Sequence, residues 1–321
     1  MWLHGLAKHG LVIIAALQTS LASLAPSPPP AMPTSTFANG LVQALTNLNA
    51  STMASLVREV PDIFDTKLGG HESKTGGKSM TLLVPLNDAF YGSGISRLSH
   101  HDLQDLLNYH ILDVWIPSRD GRYISPTLLT KYTNLPPSHP TQSLIVDVVG
   151  DNTSIVTPIA RLPVVGKSTY MNVHIWTIPQ FIHIPECFFD TLAAMHMTDI
   201  ANFVASAFLK HVVRSMSGVT AFVPTPQAFC EGAYTYAGFE DDHRDIALRH
   251  FLTNKTVIYS SDLVDGMALE TLYGTSVAIV QGLDGKMKVV AHDGYTTANI
   301  IRSDVLLSNG VIHVGNVAMV V

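Results

Sequence analysis

The sequence predicts an α+β protein made of two tandem copies of one unit, and three observations support that prediction. First, a ten-residue pattern occurs twice, as TLLVPLNDAF from Thr81 and as TAFVPTPQAF from Thr220. Second, each copy is followed by a helical pattern closed by a histidine and later by short apolar runs typical of strands. Third, matching residues recur at a nearly constant spacing, which is the signature of domain duplication.

The beginning of the chain has the layout of a cleavable secretory signal peptide. Lys8 precedes an apolar run at 11–17, and small residues follow at positions 20 and 22. This run is too short to span a bilayer. We therefore predict a signal peptide over residues 1–22, with a short N-terminal anchor or a buried helix as the alternative. Residues 23–36 are rich in Pro, Ser and Thr and predict an extended linker.

Composition and length fit a folded protein of two domains. The chain has 321 residues, of which 47% are hydrophobic and 14% charged. We place the domains at 37–184 and 185–321. The net charge of −6 without a basic cluster argues against nucleic acid as a partner. Because we find no long apolar run and no lipid-anchor signal, we expect neither a transmembrane segment nor a GPI anchor.

Two prolines and four histidines mark the repeat. Matched residues lie 139 (224 − 85) or 140 (250 − 110) positions apart. A proline lacks an amide hydrogen and so suits the end of a strand. We expect each histidine to make hydrogen bonds with backbone groups in its own core rather than to act in catalysis. These landmarks are Pro85, His110 and His174 in the first copy and Pro224, His250 and His313 in the second.

Each Val-Pro strand is expected to lead into a helix. In the first copy, Asn87 or Asp88 can cap that helix through its side chain. In the second copy, Thr225 can serve as the cap, with Pro226 at the first helical position. Helices thus come early in each copy, and strands come late, which favours the α+β class.

These blocks, in this order, resemble the fasciclin (FAS1) domain. The likeness covers most of the chain after Phe37, twice over, and is strongest in TAFVPTPQAF and in Asn309–Val314. It is weaker in the first copy, where YMNVHIW lacks the Asn-Gly pair. The resemblance implies two tandem FAS1-like domains, each a β-sandwich wedge with packed helices. It also implies a secreted, fungal-like protein that works in adhesion or interaction.

Glycosylation acceptors and cysteines are consistent with the secretory route. Three Asn-X-Ser/Thr acceptors begin at Asn49, Asn152 and Asn254. An oxidising compartment allows one disulfide between Cys187 and Cys230, and two free buried thiols are the alternative.

No motif in the sequence predicts catalysis. The fifteen histidines include no His-Glu-x-x-His pair, and no Gly-x-Ser-x-Gly elbow occurs. We therefore predict no metal site, no cofactor and no catalytic residue. The preferred hypothesis is a non-catalytic binding protein whose partner is an extracellular protein or glycan. The alternative is an accessory protein that works with a secreted laccase-type oxidase on a phenolic substrate, in the coupling of aromatic polyketides.

Overall fold

The computed structural model describes residues 36–69, 78–131, 134–236, 240–253 and 257–319. These residues belong to one compact unit. We call the described residues up to 184 the first half and those from 185 onward the second half. The predicted signal peptide, and the predicted linker up to residue 35, lie outside the described residues.

The first half starts with helices and continues mainly as strands, as the sequence predicts. A π-helical turn at Phe64–Leu68 extends its third helix. Its helices are α1 (Thr36–Asn47), α2 (Ser51–Glu59), α3 (Pro61–Ile63) and α4 (His100–Tyr109). Its strands are β1 (Met80–Pro85), β2 (Ile111–Leu112), β3 (Gly121–Pro126), β4 (Ser143–Val149), β5 (Asn152–Val156), β6 (Arg161–Pro163), β7 (Gly166–Tyr170) and β8 (Val173–Ile178).

The second half repeats this order of elements. A 3₁₀ turn at Ser260–Asp262 precedes its later strands. Its helices are α5 (Phe188–Ala194), α6 (Thr198–Ser206), α7 (Lys210–Ser215), α8 (Pro226–Tyr236) and α9 (Glu240–Arg249). Its strands are β9 (Val219–Pro224), β10 (Ala268–Glu270), β11 (Ser276–Gln281), β12 (Met287–Val290), β13 (Thr297–Leu307) and β14 (Gly310–Gly315).

Each half is organised around one parallel pair of buried strands. In the first half, β1 pairs in parallel with β8, within the sheet β2-β1-β8-β7. A separate sheet has the order β3-β4-β5-β6. In the second half, β9 pairs in parallel with β14 at one end of the sheet β10-β11-β12-β13-β14-β9. Strands β1, β9 and β14 are buried at every position, which explains their continuous apolar runs.

Both Val-Pro motifs end a strand in the same way. Pro85 is the last residue of β1, and Pro224 is the last residue of β9. The backbone N–H of Leu83 donates to the carbonyl of His110 at 2.8 Å. The N–H of Phe222 donates to the carbonyl of His250 at 2.9 Å. The helix-ending histidines therefore contact the two strands at matching positions.

Thr225 caps the helix after β9, as the sequence predicts. Its Oγ1 accepts a hydrogen bond from the N–H of Ala228 at 3.1 Å. Pro226 is the first residue of α8, where its missing N–H needs no partner.

The first half differs from the prediction at the matching place. Asn87–Phe90 forms only one 3₁₀ turn, and no side chain caps it. Asn87 instead accepts a hydrogen bond at 3.0 Å from the N–H of Thr52, in the first turn of α2. The residue before that helix, Ala50, has no side-chain oxygen and cannot cap it. Asn87 thus caps a helix that lies 35 residues earlier in the chain.

Each half has its own apolar core, and one further cluster joins the halves. The helices pack on one side of each parallel pair, and the remaining strands pack on the other. The joining cluster contains Ile145 and Val156 from the first half and Leu306 and Val311 from the second. The predicted α+β class is confirmed. No helix in the described ranges is long and apolar enough to cross a membrane.

Candidate functional site

The two halves meet along a surface that we call the seam, which is defined by the joining apolar cluster and the hydrogen bonds around it. Tyr259 of the second half lies in that cluster, and its hydroxyl donates to Ser143 Oγ of the first half at 3.2 Å. Burial raises the pKa of this phenol. The side-chain amide of Gln142 donates to the carbonyl of Leu307 at 3.0 Å, again across the seam.

Asn134 adds a second polar connection across the seam. Its backbone N–H donates to Ser308 O at 3.1 Å, and its carbonyl accepts from the N–H of Gly218 at 3.3 Å. Its side-chain amide donates to the carbonyls of Ser215 and Met216. With its backbone and side chain both engaged, this residue fixes the first half against the end of α7 and the β13–β14 turn.

Strand β13 is irregular where it meets the first half. Ile300 is opposite Gly315, whereas Arg302 is opposite Val314, so two steps along β13 match one step along β14. A second register shift follows between Arg302 and Val305. Asp304, inside this shift, has a left-handed φ of 60°. Bulges of this kind redirect side chains, and here they bring residues 302–304 against the first half.

Arg122 of β3 connects two carboxylates on opposite sides of the seam. Its Nε and Nη2 donate to Asp147 at 2.8 and 3.0 Å, a two-pronged contact within the first half. Its Nη1 donates to Asp304 Oδ2 at 3.3 Å and to Ser303 Oγ at 2.9 Å in the second half. The side chain of Asp304 is fully buried, and it also accepts hydrogen bonds from the backbone and hydroxyl of Ser260.

The carboxylate of Asp147 is shared between two arginines. Arg161 Nη1 donates to its Oδ2 at 2.6 Å, alongside the contacts from Arg122. Burial acts to raise the pKa of Asp147, but the hydrogen bonds from Arg122 and Arg161 outweigh it and leave this pKa below its usual value. The hydrogen bonds that Arg122 donates to Asp147 are also the main reason why the pKa of Arg122 is raised.

Arg302 crosses the seam in the opposite direction. Its Nη2 donates to the carbonyls of Thr157 and Pro158 at 3.0 and 2.6 Å. Burial, and the positive charges of Arg161 and Arg122, lower the pKa of its guanidinium. Three arginines from both halves are therefore close enough to affect one another electrostatically.

A cleft of about 480 Å³ lies between these residues. It is lined by β3, the segment between β5 and β6, and the bulged part of β13. Its charged lining residues are Arg122, Arg161 and Arg302, and its apolar ones include Ile159 and Ile301. We call it the seam cleft and regard it as the candidate functional site.

Two of the predicted histidines are buried at matching places. His110 donates from Nδ1 to Leu106 O at 2.8 Å, and its Nε2 accepts from the N–H of Ile182 at 3.1 Å. His250 donates from Nδ1 to Phe222 O at 2.7 Å. Burial lowers the pKa of each from 6.5 to about 4. Both are therefore neutral groups that bind backbone atoms within the core.

The predicted match between His174 and His313 is wrong by two residues. Val219 N donates to Asn309 O at 2.7 Å, and Met80 N donates to Asn172 O at 3.2 Å, so the two asparagines correspond. Counting from them, the partner of His313 is Trp176, which lies opposite Leu83 as His313 lies opposite Phe222. Residues two apart in a strand share a face, so the apolar pattern could not separate these registers.

The environments of these two histidines differ accordingly. His313 is fully buried, stacks on Phe222 and donates from Nε2 to Ile258 O at 2.9 Å. Its Nδ1 has no hydrogen-bond partner in the described structure. His174 is half-buried, with its ring 5.9 Å from that of Trp115. Its ring makes no hydrogen bond with a backbone group among the described residues, contrary to the expectation.

The other predicted positions do not form part of the seam cleft. Asn49 and Asn152 are exposed, and Asn254 lies outside the described residues, so glycosylation stays a prediction. Cys187 and Cys230 are free, one half-buried and the other exposed, so the structure has neither the disulfide nor the buried thiol pair. The Sγ of Cys187 instead donates to Asp190 Oδ2 at 2.8 Å.

Sequence reasoning missed the residues that line the seam cleft. Three or more metal-ligating side chains do not cluster anywhere in the described ranges. The arginines come from positions far apart in the sequence and meet only through the packing of the halves. The available signal was local: Arg302 and Asp304 are charged residues inside an otherwise uncharged strand, and buried charges need partners.

One family model matches part of the chain, within the second half. Residues 195–320 match the family model of the fasciclin domain. This part of the chain is similar to the fasciclin domain family. The match contains Pro224, His250 and His313 and leaves the first half outside it.

A search of solved structures also found similar chains. The chain is similar to a FAS1 domain pair from the insect cell adhesion molecule fasciclin I, with 17% sequence identity and a TM-score of 0.41. The similarity covers 82% of this chain and 96% of that one. No curated protein matches the chain.

Proposed function

We propose that the protein is a secreted, non-catalytic binding protein built from two FAS1-like domains, at 37–184 and 185–321. In this proposal the domains act as one body, because apolar and polar contacts connect them along the seam. The similarity to the fasciclin domain at 195–320 supports a role in adhesion or extracellular interaction. The proposed partner is an extracellular protein or glycan that inserts a group into the seam cleft.

The observation that carries this proposal is the preformed cleft between the halves. Its volume of about 480 Å³ falls within the range of ligand pockets, which is roughly 300–1,000 Å³. Its walls are held by Arg122, Asp147 and Asp304, so binding needs little rearrangement of the protein. Prearranged polar groups lower the entropy cost of binding.

A cleft-filling substitution tests this function. Ile301 lines the cleft and is 58% exposed, so Ile301→Trp places an indole in the cleft without disturbing the core. Leu283→Trp is the matched control, because Leu283 is fully exposed and does not line the cleft. The fluorescently labelled mature chain is incubated with washed cell walls and with immobilised proteins and glycans from the culture fluid of the producing organism. The loss of labelled chain from solution measures its retention.

We expect the wild type and Leu283→Trp to be retained equally, and Ile301→Trp to be retained at least about tenfold more weakly. If wild type and Ile301→Trp are retained alike, or neither is retained, the proposed function is wrong.

A second candidate is an accessory role beside a laccase-type oxidase, in which the cleft holds a phenolic substrate for coupling. The mixed arginine and isoleucine lining favours it, because a small planar molecule fits such a cleft better than a large flat surface does. The test compares the products of oxidase-driven phenol coupling with the wild type and with Ile301→Trp. An unchanged product distribution would exclude this role. Genes for a polyketide synthase and a multicopper oxidase beside this gene would support it.

A further inference from the structure

We infer that the seam cleft binds an oxyanion carried on an apolar body, with Arg302 and Arg161 as the residues that hold the anion. This inference rests on the proposed function, since it names the chemistry of the ligand for the same cleft. It follows from the charges, the free hydrogen-bond donors and the apolar surface inside the cleft.

The charges in the cleft do not balance. Three guanidinium groups meet there, whereas their network contains two carboxylates, Asp147 and Asp304. Both carboxylates are engaged by Arg122, and Asp147 also accepts from Arg161. One positive charge therefore remains without an acidic partner, and it belongs to Arg302, which makes no ion pair within the described residues.

Arg302 has donors available for a ligand. Its Nη2 is occupied by the carbonyls of Thr157 and Pro158, which fix the guanidinium plane at the cleft. Its Nη1 and Nε make no hydrogen bond within the described residues. A partly buried cation whose contacts are neutral carbonyls is costly to desolvate, and an anion removes that cost. The planar edge of a guanidinium fits a carboxylate, sulfate or phosphate group with two parallel hydrogen bonds.

Arg161 provides a second cationic group from the other half. It uses Nη1 for Asp147, and its remaining donors have no partner in the described part of the chain. Its side chain is 58% exposed, so it can turn toward a ligand at the mouth of the cleft. The lowered pKa of Arg302, caused first by burial and then by the charges of Arg161 and Arg122, agrees with a site that favours negative charge.

The apolar part of the ligand is indicated by two isoleucines. Ile159 from the first half is 65% exposed, and Ile301 from the second half is 58% exposed. Both line the same cleft, where they would cover an aromatic or aliphatic body once a ligand is bound. Burying such side chains favours binding in proportion to the apolar area removed from water.

Calorimetric titration with a pair of matched probes tests this inference. The probes are 1-naphthoate and its neutral analogue 1-naphthalenemethanol, which share an apolar body and differ in charge. We expect naphthoate to bind the mature wild-type chain with a Kd below about 1 mM. We expect the alcohol to bind at least about tenfold more weakly. Raising NaCl from about 20 to about 200 mM should weaken the binding of naphthoate alone.

Substitutions identify the groups that hold the anion. Arg161→Gln and Arg302→Gln should each weaken naphthoate binding about tenfold, whereas Arg302→Lys should weaken it less. Arg97→Gln is the matched control, because Arg97 is exposed and does not line the cleft. Arg302→Gln also loses contacts across the seam, so its fold is checked by circular dichroism. If Arg302→Gln is unfolded, the naphthoate affinity of Arg161→Gln decides the test. That variant is expected to fold, because Asp147 still accepts both hydrogen bonds from Arg122.

The inference is overturned if both probes bind equally, if naphthoate does not bind, or if Arg161→Gln binds naphthoate as the wild type does. These failures differ from failure of the proposed function. If both probes bind equally and Ile301→Trp abolishes the binding of both, the cleft binds ligands but does not select anions. Selective naphthoate binding, together with equal retention of Ile301→Trp and wild type on extracellular material, would refute the proposed function alone.

Discussion

The two halves share backbone hydrogen bonds but differ in the side chains placed on them. In each half an asparagine carbonyl, Asn172 or Asn309, accepts from the first residue of the parallel partner strand. Four residues later the first half has Trp176 and the second has His313. The backbone scaffold is thus kept while the buried side chain on it changes, which shows that this scaffold does not depend on the histidine.

The halves also differ in how the chain passes between strand partners. In the first half, β6 pairs with β5 and β7 pairs with β8, and residues 164–165 separate the two strands. In the second half, the single strand β13 pairs with both β12 and β14. Its register against β14 shifts twice along its length. Those shifts bring Arg302 and Asp304 to the seam. An irregularity in one strand, rather than the topology that both halves share, therefore created the candidate site.

The largest expected effect is at Gly310, where the neighbouring backbone leaves no room for a Cβ. A Cβ at Gly310 would clash with the backbone of Val219, whereas the matching position in the first half holds Val173. We expect Gly310→Ala to lower the free energy of unfolding by more than about 4 kcal/mol. Val173→Ala should cost about 2 kcal/mol through lost burial. Urea unfolding measures the free energy of unfolding of both variants. Equal losses would show that the backbones at Gly310 are no more tightly packed than those at Val173.

The two matched histidines, His110 and His250, make similar contributions to the dependence of stability on pH. Below pH 6.5 the unfolded chain binds a proton at His110 and at His250, but the folded chain does so only near pH 4. Stability is therefore full above pH 6.5 and falls as the pH drops toward 4, by about 3 kcal/mol per histidine. Urea midpoints from pH 7.5 to 4.5 measure this fall. His110→Gln and His250→Gln should each reduce the loss of stability at low pH by a comparable amount. If either variant loses as much stability as the wild type, the two histidines are not equivalent.

Asp304 is a fully buried carboxylate that the second half places at the seam. Asp304→Ala leaves Arg122 and Ser260 without their buried acceptor and should lower the free energy of unfolding by about 2–3 kcal/mol. Asp151→Ala, at an exposed turn, should change it by less than about 0.5 kcal/mol. Thermal unfolding compares the two variants, and similar melting temperatures would show that Asp304 does not stabilise the fold.

The smallest expected effects concern the two helix caps. Thr225→Ala removes the cap of α8, and Asn87→Ala removes the cap of α2, so each should cost about 1 kcal/mol. Asn87→Asp keeps an acceptor oxygen and should recover most of the loss. If Asn87→Ala proves neutral in urea unfolding, the cap at α2 is not a stabilising contact in solution.

Much of the fold could be predicted from local signals. The apolar run before Pro85 predicts a buried strand, and the leucines of 103–107 predict a helix, because these periodicities reflect burial within one element. The prediction of a helix capped at Asn87 was wrong because the side chain of Asn87 caps α2 instead. No local sequence pattern reveals a partner 35 residues away. His174 was misplaced because alternation in a strand repeats every two residues.

The candidate site could not be predicted in the same way. Arg122 and Asp304 are 182 positions apart and form an ion pair only after both halves have folded and packed. The bulges that bring Asp304 there depend on the pairing of β13 with β14, which a single-sequence pattern does not encode. Charged residues in a partly buried strand indicate that a partner exists, but not where it lies.

The joining apolar cluster contains residues that are synthesised at different times. A ribosome completes the first half while Leu306 and Val311 have yet to be made, so Ile145 and Val156 lack their covering neighbours during that interval. Exposed apolar surface on a nascent chain promotes aggregation. Slowed elongation between the halves should therefore reduce the yield of the secreted protein more than slowed elongation after position 311.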